Sequence, residues 1–457
     1  MSPTEFRQFG HEVVDWIADY LAHPERYPVL PPCRPGDLTD ELPASGPEQG
    51  EPMAAILKDF RDQIVPRNTQ WNHPGFMAYF SITASGPGIL GEMLAAALNP
   101  NGMVWKTSPA VVELEQVTLD WLRQWLGLPD KQFGIIFDTA SVSSMHAIAA
   151  ARERAAPEVR TEGGGQGLIL YTSDQAHSSI EKGAIALGLG KNAVRLIGTD
   201  ADFRMRTDLL TAAIDRDLAA GLRPFCVCAT VGTTSTTSID PVPAIADIAE
   251  RYGLWLHVDA AYAGSAAIVP EFRHLLAGCE RADSLTTNPH KWLFTPVDVS
   301  VLYTRHPEML RRAFSLEREY LQTAADPRAM NYMDYGVPLG RRFRALKLWF
   351  VMRYYGHQGL AAIIRQQIGW AQELAAQIDA HPRFERMAPA PLSMVCFRLR
   401  GPDEPNKKLL EKINASGEFF LSNTVLRGKY SIRLAIGNMG TTRAHVQRAW
   451  QIIQESV

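Results

Sequence analysis

Two short segments hold residue types that could do covalent chemistry on a small molecule. The first is Asn288-Pro289-His290-Lys291-Trp292, set between the apolar run Ser284–Thr287 and a second apolar run, Val299–Tyr303. A lysine in such company is not in a surface setting. Burial disfavours the ammonium form, and a neutral lysine amine forms a Schiff base with a carbonyl compound. The second is Leu256-His257-Val258-Asp259-Ala260-Ala261-Tyr262, an apolar run that ends in an acid followed by small residues. Parallel strands present their functional groups at their carboxyl ends. An aspartate there can keep a heterocyclic nitrogen protonated, and Ala261 is small enough for a ring to lie flat against it.

Thirty-two residues separate Asp259 from Lys291, enough for one crossover and the next strand. Three further strand ends complete the pattern. In Phe137-Asp138-Thr139-Ala140-Ser141 a strand turns into a helix, and the helix-start N–H groups, with the hydroxyls of Thr139 and Ser141, suit a dianionic phosphate. Asp138 is unexpected beside a phosphate and is read as facing away. His177, in Asp174-Gln175-Ala176-His177-Ser178-Ser179, can stack on a ring, and Gly232-Thr233-Thr234 brings hydroxyls to the same edge. An amine for an aldehyde, an acid for a ring nitrogen and a phosphate cradle together are what pyridoxal phosphate requires. No Walker A sequence is present, and His257, Asp259 and His290 lack metal-ligand spacing, so no metal is expected.

The elements that must position these groups alternate. The apolar runs Gly134–Phe137, Leu168–Thr172, Ala193–Ile197, Phe225–Val231 and Leu254–Val258 are separated, for the most part, by helical patterns over Ser143–Arg154, Ser178–Leu189, Asp208–Ala220 and Pro243–Arg251. Such alternation predicts an α/β domain with a mainly parallel sheet. Ser108-Pro109 is expected to cap a helix ending at Gly127. From Arg341 a helical pattern runs for some three dozen residues with a break near Gly356. Short strands follow over Met394–Leu399, Phe419–Val425 and Tyr430–Ala435, then a closing helix after Thr441, which together read as a small α+β domain. At the start, Phe6, Phe9, Val13, Ile17 and Tyr20 recur at helical spacing behind Thr4 as a candidate cap. A Pro-rich stretch (27–50) and a short helix (53–64) come next. This helix–arm–helix has no core of its own and must lie on something else. The chain therefore divides into an N-terminal helical arm (1–85), a large cofactor domain (86–347) and a small C-terminal domain (348–457).

Hydrophobic residues make up 46% of the chain and charged residues 21%, an ordinary globular balance that excludes global disorder. The formal net charge of −3 argues against nucleic acid or an anionic membrane as partner. Cys33, Cys226, Cys228, Cys279 and Cys396 are sparse and odd in number, and are read as reduced thiols of a cytoplasmic protein. Cys226 and Cys228 should face the same way on one strand without bonding. No signal peptide or membrane span is expected.

The motifs DQAHSS, HVDAAYAG and NPHKW resemble those of the pyridoxal-phosphate-dependent group II decarboxylases, most closely the aromatic L-amino-acid decarboxylases. The likeness extends through Trp71–Phe80, Trp105–Pro129, Pro338–Phe343 and Ser431–Trp450. It implies a fold type I (aspartate aminotransferase-like) large domain, and a homodimer in which the arm wraps the partner and the active sites lie at the subunit interface. It further implies that Lys291 binds the cofactor aldehyde, Asp259 pairs with the ring nitrogen, His177 stacks on one ring face and Ala261 packs on the other. Thr139, Ala140, Ser141, Asn288 and His290 would hold the phosphate, with Thr234 close to the Schiff-base side. Tyr320, in a segment with little regular pattern, matches the tyrosine thought to protonate the substrate Cα after CO₂ leaves. Arg433 matches a C-terminal active-site arginine.

For the substrate, Trp71, Tyr79 and Phe80 match the family's aromatic pocket. Asn101 and Met103 depart from the bulky apolar groups of animal-type members and would add a polar and an adaptable group, which in the implied dimer serve the other subunit's pocket. Ile82 replaces a threonine, and Gly340 is the smaller of two family alternatives. The implied reaction is decarboxylation of an aromatic L-amino acid to its arylalkylamine, with tryptophan or 5-hydroxytryptophan favoured over tyrosine or DOPA. The alternatives are an aromatic acetaldehyde synthase, another fold type I reaction such as transamination, or an inactive cofactor-binding scaffold. Relatives that make aldehydes often replace the tyrosine or the histidine. Retention of both Tyr320 and His177 favours simple decarboxylation.

Overall fold

The computed structural model describes residues 1–130, 132–316 and 329–457. Its N-terminal helix α1 (Pro3–Ala22) is opened by a reciprocal cap: Ser2 Oγ accepts from Glu5 N–H, and the Glu5 carboxylate accepts from Ser2 N–H. The cap is thus Ser2, not Thr4, which lies inside the first turn. No residue of α1 is buried. Helix α2 (Met53–Asp59) and the wider turn Phe60–Ile64 lie beside it, with Trp16 edge-on to Phe60 at 5.0 Å and Glu12 paired to Arg61 at 2.7 Å. The Pro-rich stretch between the helices is fastened at Val29. Val29 is fully buried, donates to Gly417 O and accepts from Gln70 N–H.

Helix α3 (Gly86–Leu98) crosses the long helix Arg344–Ala380 at very close range. A Cβ on Gly91 would sit 2.7 Å from Lys347 Cα. On another face of α3, Leu90, Met93, Leu94 and Leu98 remain exposed. Helix α4 (Pro109–Leu126) ends on Gly127 in the left-handed region (φ 71°), as expected. Ser108 stands at its N-cap position, but its hydroxyl donates to Asn101 O at 2.9 Å instead of capping.

The large sheet comprises β1 (Phe133–Phe137), β2 (Leu168–Ser173), β3 (Val194–Ile197), β4 (Arg223–Thr230), β5 (Trp255–Asp259), β6 (Ser284–Thr287) and β7 (Ser300–Thr304). Their spatial order is β1-β7-β6-β5-β4-β2-β3. β7 runs antiparallel to both its neighbours, and the other pairings are parallel. Helices cover both faces, which is why these strands read as nearly unbroken apolar runs. Alternate residues enter two separate cores: Val227, Ala229, Leu256 and Val258 on one side, Cys226, Cys228 and Trp255 on the other with helix α5 (Ala140–Ala155). The two thiols share a face with sulfurs 3.9 Å apart and unbonded, and all five cysteines are free.

The second sheet is antiparallel: β8 (Phe384–Arg386), β9 (Met394–Leu399), β10 (Ser422–Leu426) and β11 (Lys429–Ala435), ordered β10-β11-β9-β8. β8 was not expected, since three residues are too few to show an alternating pattern. The long helix begins at Arg344 and breaks at Gly356 (φ 65°), where only glycine is unstrained. A domain boundary at 347 falls inside this helix. Leu348 through Ile368 pack into the core of the large sheet, and Ala371 onward into that of the small one. Among the described residues no helix is long and apolar enough to cross a membrane.

Three imidazoles lie buried in the large domain. Burial pushes His146 and His257 down to about 4 and His290 down to about 3. The unfolded chain, with ordinary histidines near 6.5, binds more protons than the fold between these values. Stability is therefore full above neutral pH and is lost as pH falls below 6.5, by about 1.4 kcal/mol per unit for each histidine. Buried Asp240, pushed up to about 6, acts in the opposite sense below that pH and offsets only part of the loss. The urea midpoint is expected to be flat from pH 8 to 7 and to fall steadily from 6.5 to 5. A midpoint constant down to pH 5 would contradict this.

Candidate active site

The carboxyl ends of β1, β2, β4, β5 and β6 converge on a cavity of about 210 Å³. All ten residues expected to hold the cofactor line it: Thr139, Ala140 and Ser141 after β1, His177 after β2, Thr234 after β4, Asp259 and Ala261 from β5, and Asn288, His290 and Lys291 after β6. Thr230 and Tyr262, to which the sequence assigns no role, complete the wall together with Gly232 and Phe80. Tyr262 carried a signal, since it closes the same motif as Asp259.

Lys291 sits on a single helical turn, Pro289–Trp292, that Pro289 starts and Trp292 anchors. Trp292 is fully buried, and its indole N–H donates to Gln367 at 2.6 Å. Tyr262 is stacked between Phe80 (3.8 Å, 13°) and Trp292 (4.5 Å, 6°). The Lys291 amine lies 5.4 Å from the centre of the Phe80 ring. Burial lowers the Lys291 pKa, and the Asp259 carboxylate opposes that shift. Asp259 Oδ1 accepts from Ala261 N–H at 3.0 Å, which fixes the carboxylate at the end of β5.

His177 is also driven below its ordinary value, chiefly by burial. Its Nδ1 accepts from Ser179 N–H, so the neutral ring carries its proton on Nε2. His290 Nδ1 likewise accepts from Val299 N–H at 2.9 Å, leaving an N–H at Nε2. The Asn288 amide lies 3.2 Å from that nitrogen, and Asn288 Oδ1 is a buried acceptor without a partner among the described residues. Hydrogen-bond chemistry resolves both problems at once: the amide presents its oxygen to His290 Nε2–H, which turns its NH₂ away from the imidazole. The first intrahelical bonds of α5 run from Val142 and Ser143 to Thr139 O, so the amides of Ala140 and Ser141 precede them and are free for an anion. Asp138 accepts from the N–H and the hydroxyl of Thr139 and lines a different cavity, with Arg341 and Arg344. It does face away from the phosphate position. This donor set, with a lysine and a carboxylate beyond it, fits pyridoxal phosphate.

The residues expected to bind substrate do not come together within one chain. Phe80 lies in the cavity just described. Trp71 and Ile82 line a separate groove of about 490 Å³ with Trp16, Tyr20 and Phe60, and Tyr79 stacks beside Trp71 at 6.4 Å. Asn101, Met103 and Gly340 form a third group. There Asn101 Oδ1 accepts from Arg341 N–H at 3.0 Å, and Gly102 N–H donates to Arg341 O at 2.9 Å. The Asn101 carbonyl is therefore engaged by backbone and offers a pocket less polarity than the sequence suggests. Arg433 is buried and donates to Ser422 Oγ and to the carbonyls of Thr234 and Ser235. Tyr320 lies outside the described residues.

Comparison with known proteins agrees with this arrangement. Residues 35–400 match the family model described as the pyridoxal-dependent decarboxylase conserved domain. The aromatic-L-amino-acid decarboxylase of Catharanthus roseus is 42% identical over 99% of this chain and 93% of its own length. A phenylacetaldehyde synthase of Arabidopsis thaliana is 41% identical over 100% of this chain and 96% of its own. The crystal structure of Oryza sativa TDC with PLP and tryptamine superposes with a TM-score of 0.97 at 38% identity, covering 100% of this chain and 98% of that one. The α/β architecture is that of fold type I. The chain belongs to the pyridoxal-dependent decarboxylases and is a carboxy-lyase that uses pyridoxal 5'-phosphate.

Proposed function

We propose that this enzyme decarboxylates an aromatic L-amino acid, tryptophan or 5-hydroxytryptophan ahead of tyrosine, DOPA or phenylalanine, to the arylalkylamine and CO₂. The observation that carries the reading is the enclosed Lys291 amine facing Asp259 beside His177 in one cavity. Pyridoxal phosphate, when bound, supplies the carbonyl that captures an amine and the conjugated ring that accepts the electrons released as CO₂ leaves. Lys291, whose amine burial makes easier to deprotonate, would hold the aldehyde. Asp259 would support the proton on the ring nitrogen, with each pKa unit of support worth about 1.4 kcal/mol. His177 and Ala261 would flank the ring. Ala140 and Ser141 N–H and the Asn288 NH₂ would hold the phosphate, with His290 orienting the Asn288 amide and the Thr139 hydroxyl turned to Asp138. Thr234, its carbonyl held by Arg433, borders the Schiff-base side. Tyr320 would supply the proton to Cα.

The aromatic class is supported by the names of the relatives, among them tryptophan and tyrosine decarboxylases. Overall similarity does not separate amine from aldehyde production, because decarboxylases and phenylacetaldehyde synthases match almost equally well. Retention of Tyr320 and His177 favours the amine. Incubation with tryptophan is expected to release amine and CO₂ in equal amounts with no peroxide, whereas equimolar aldehyde and peroxide would contradict the reading. Lys291→Ala is expected to abolish the Schiff-base absorption band and to slow CO₂ release by at least about a thousandfold.

The enzyme acts as a homodimer in the cytoplasm. Supporting the dimer are the uncovered apolar face of α3 and the exposed Phe6, Val14 and Ile56 of the arm. The scatter of Trp71, Tyr79, Phe80, Ile82, Asn101, Met103 and Gly340 over three places also fits a pocket assembled from two subunits. Deletion of residues 1–50 is expected to give monomeric or insoluble inactive protein in sedimentation and activity assays. A soluble, fully active truncation would contradict the interlocked dimer.

A further inference from the structure

Helix α5 is buried on most sides, yet two adjacent residues on its sheet-facing side are serines, and both are completely buried. Each meets a different strand. Ser143 Oγ lies 2.7 Å from Ser300 Oγ of β7. Ser144 Oγ lies 3.2 Å from His257 Nε2 of β5. The chain of bonds continues behind His257. Trp255 Nε1–H donates to Ser284 Oγ at 2.8 Å, and the same oxygen lies 2.9 Å from His257 Nδ1. Each ring nitrogen of His257 therefore meets a buried serine hydroxyl. The imidazole is uncharged at any working pH, so this link does not switch off.

His257 lies two residues before Asp259 on the same face of β5, and Ser144 lies one turn after Ala140 and Ser141 on α5. The link thus ties the strand that ends in Asp259 to the helix whose first amides face the phosphate position. We infer that Ser144, His257 and Ser284 are positioning residues that set the depth of the α5 N-terminus relative to Asp259, and so the match between the phosphate cradle and the ring-nitrogen acid. The inference rests on the phosphate role of α5 proposed above. Hydrogen bonds to an anion weaken steeply with distance, so a small shift of α5 weakens the phosphate contacts and leaves Lys291 and Asp259 in place. Removing the Ser144 hydroxyl also leaves the buried Nε2 of His257 without its partner, which drives that shift.

The test titrates the full-length chain, stripped of cofactor, with pyridoxal phosphate and with pyridoxal, which lacks the phosphate. Bound cofactor is followed by absorbance, and the ratio of the two dissociation constants isolates the phosphate contribution. In Ser144→Ala that ratio is expected to shrink by about tenfold, roughly the effect of one stranded buried polar group, while pyridoxal itself binds as before. His257→Gln, which keeps both a donor and an acceptor, is expected to retain most of the ratio. A merely structural role predicts a lower melting temperature with both constants raised equally, and that result would overturn the inference. If the unaltered enzyme shows no preference for the phosphorylated form, the phosphate reading of α5 fails first and the positioning role with it.

Discussion

An amine and a carboxylate share one enclosed cavity at the carboxyl edge of the large sheet, and much of the fold exists to keep them there. Burial pulls the Lys291 pKa down, and the Asp259 carboxylate pulls it back up. Desolvated charges are tolerated only where partners are fixed. Here the fixing comes from backbone: Asp259 is tied to Ala261 N–H at the end of β5, and Lys291 rides on a turn anchored by Trp292. The stack of Phe80, Tyr262 and Trp292 stands beside the amine, with Phe80 nearest it.

The same logic explains the polar groups under the sheet. A parallel core normally excludes hydroxyls and imidazoles, yet Ser143, Ser144, His257, Ser284 and Ser300 are buried at the junction of α5 with β5, β6 and β7. Each of them has a partner. A network of this kind is directional where apolar packing is not, and direction is what a helix start needs if its free amides are to meet a phosphate at a fixed depth.

The chemistry was legible in the sequence because it lies in contiguous strand-end motifs. Lys291, Asp259, His177 and the Thr139–Ser141 turn follow apolar runs, and a parallel sheet gathers such ends on one rim. What was not legible depends on contacts distant in sequence. The Asn101 side chain reads as pocket polarity until Arg341 is seen to engage its carbonyl 240 positions later. Ser2 displaced Thr4 as the first cap because Glu5 completes a reciprocal pair with it. The antiparallel course of β7 leaves no trace in composition, since a strand buried on both faces reads alike in either direction. The boundary at 347 missed because one helix serves two cores in succession.

The most direct test of the account is the ionisation of Lys291 in cofactor-free enzyme, followed as the pH dependence of its reaction with an amine-directed reagent and compared with Asp259→Asn. The account predicts a pKa below that of an ordinary lysine, lowered further when the Asp259 charge is removed. An ordinary lysine value, indifferent to Asp259, would contradict it.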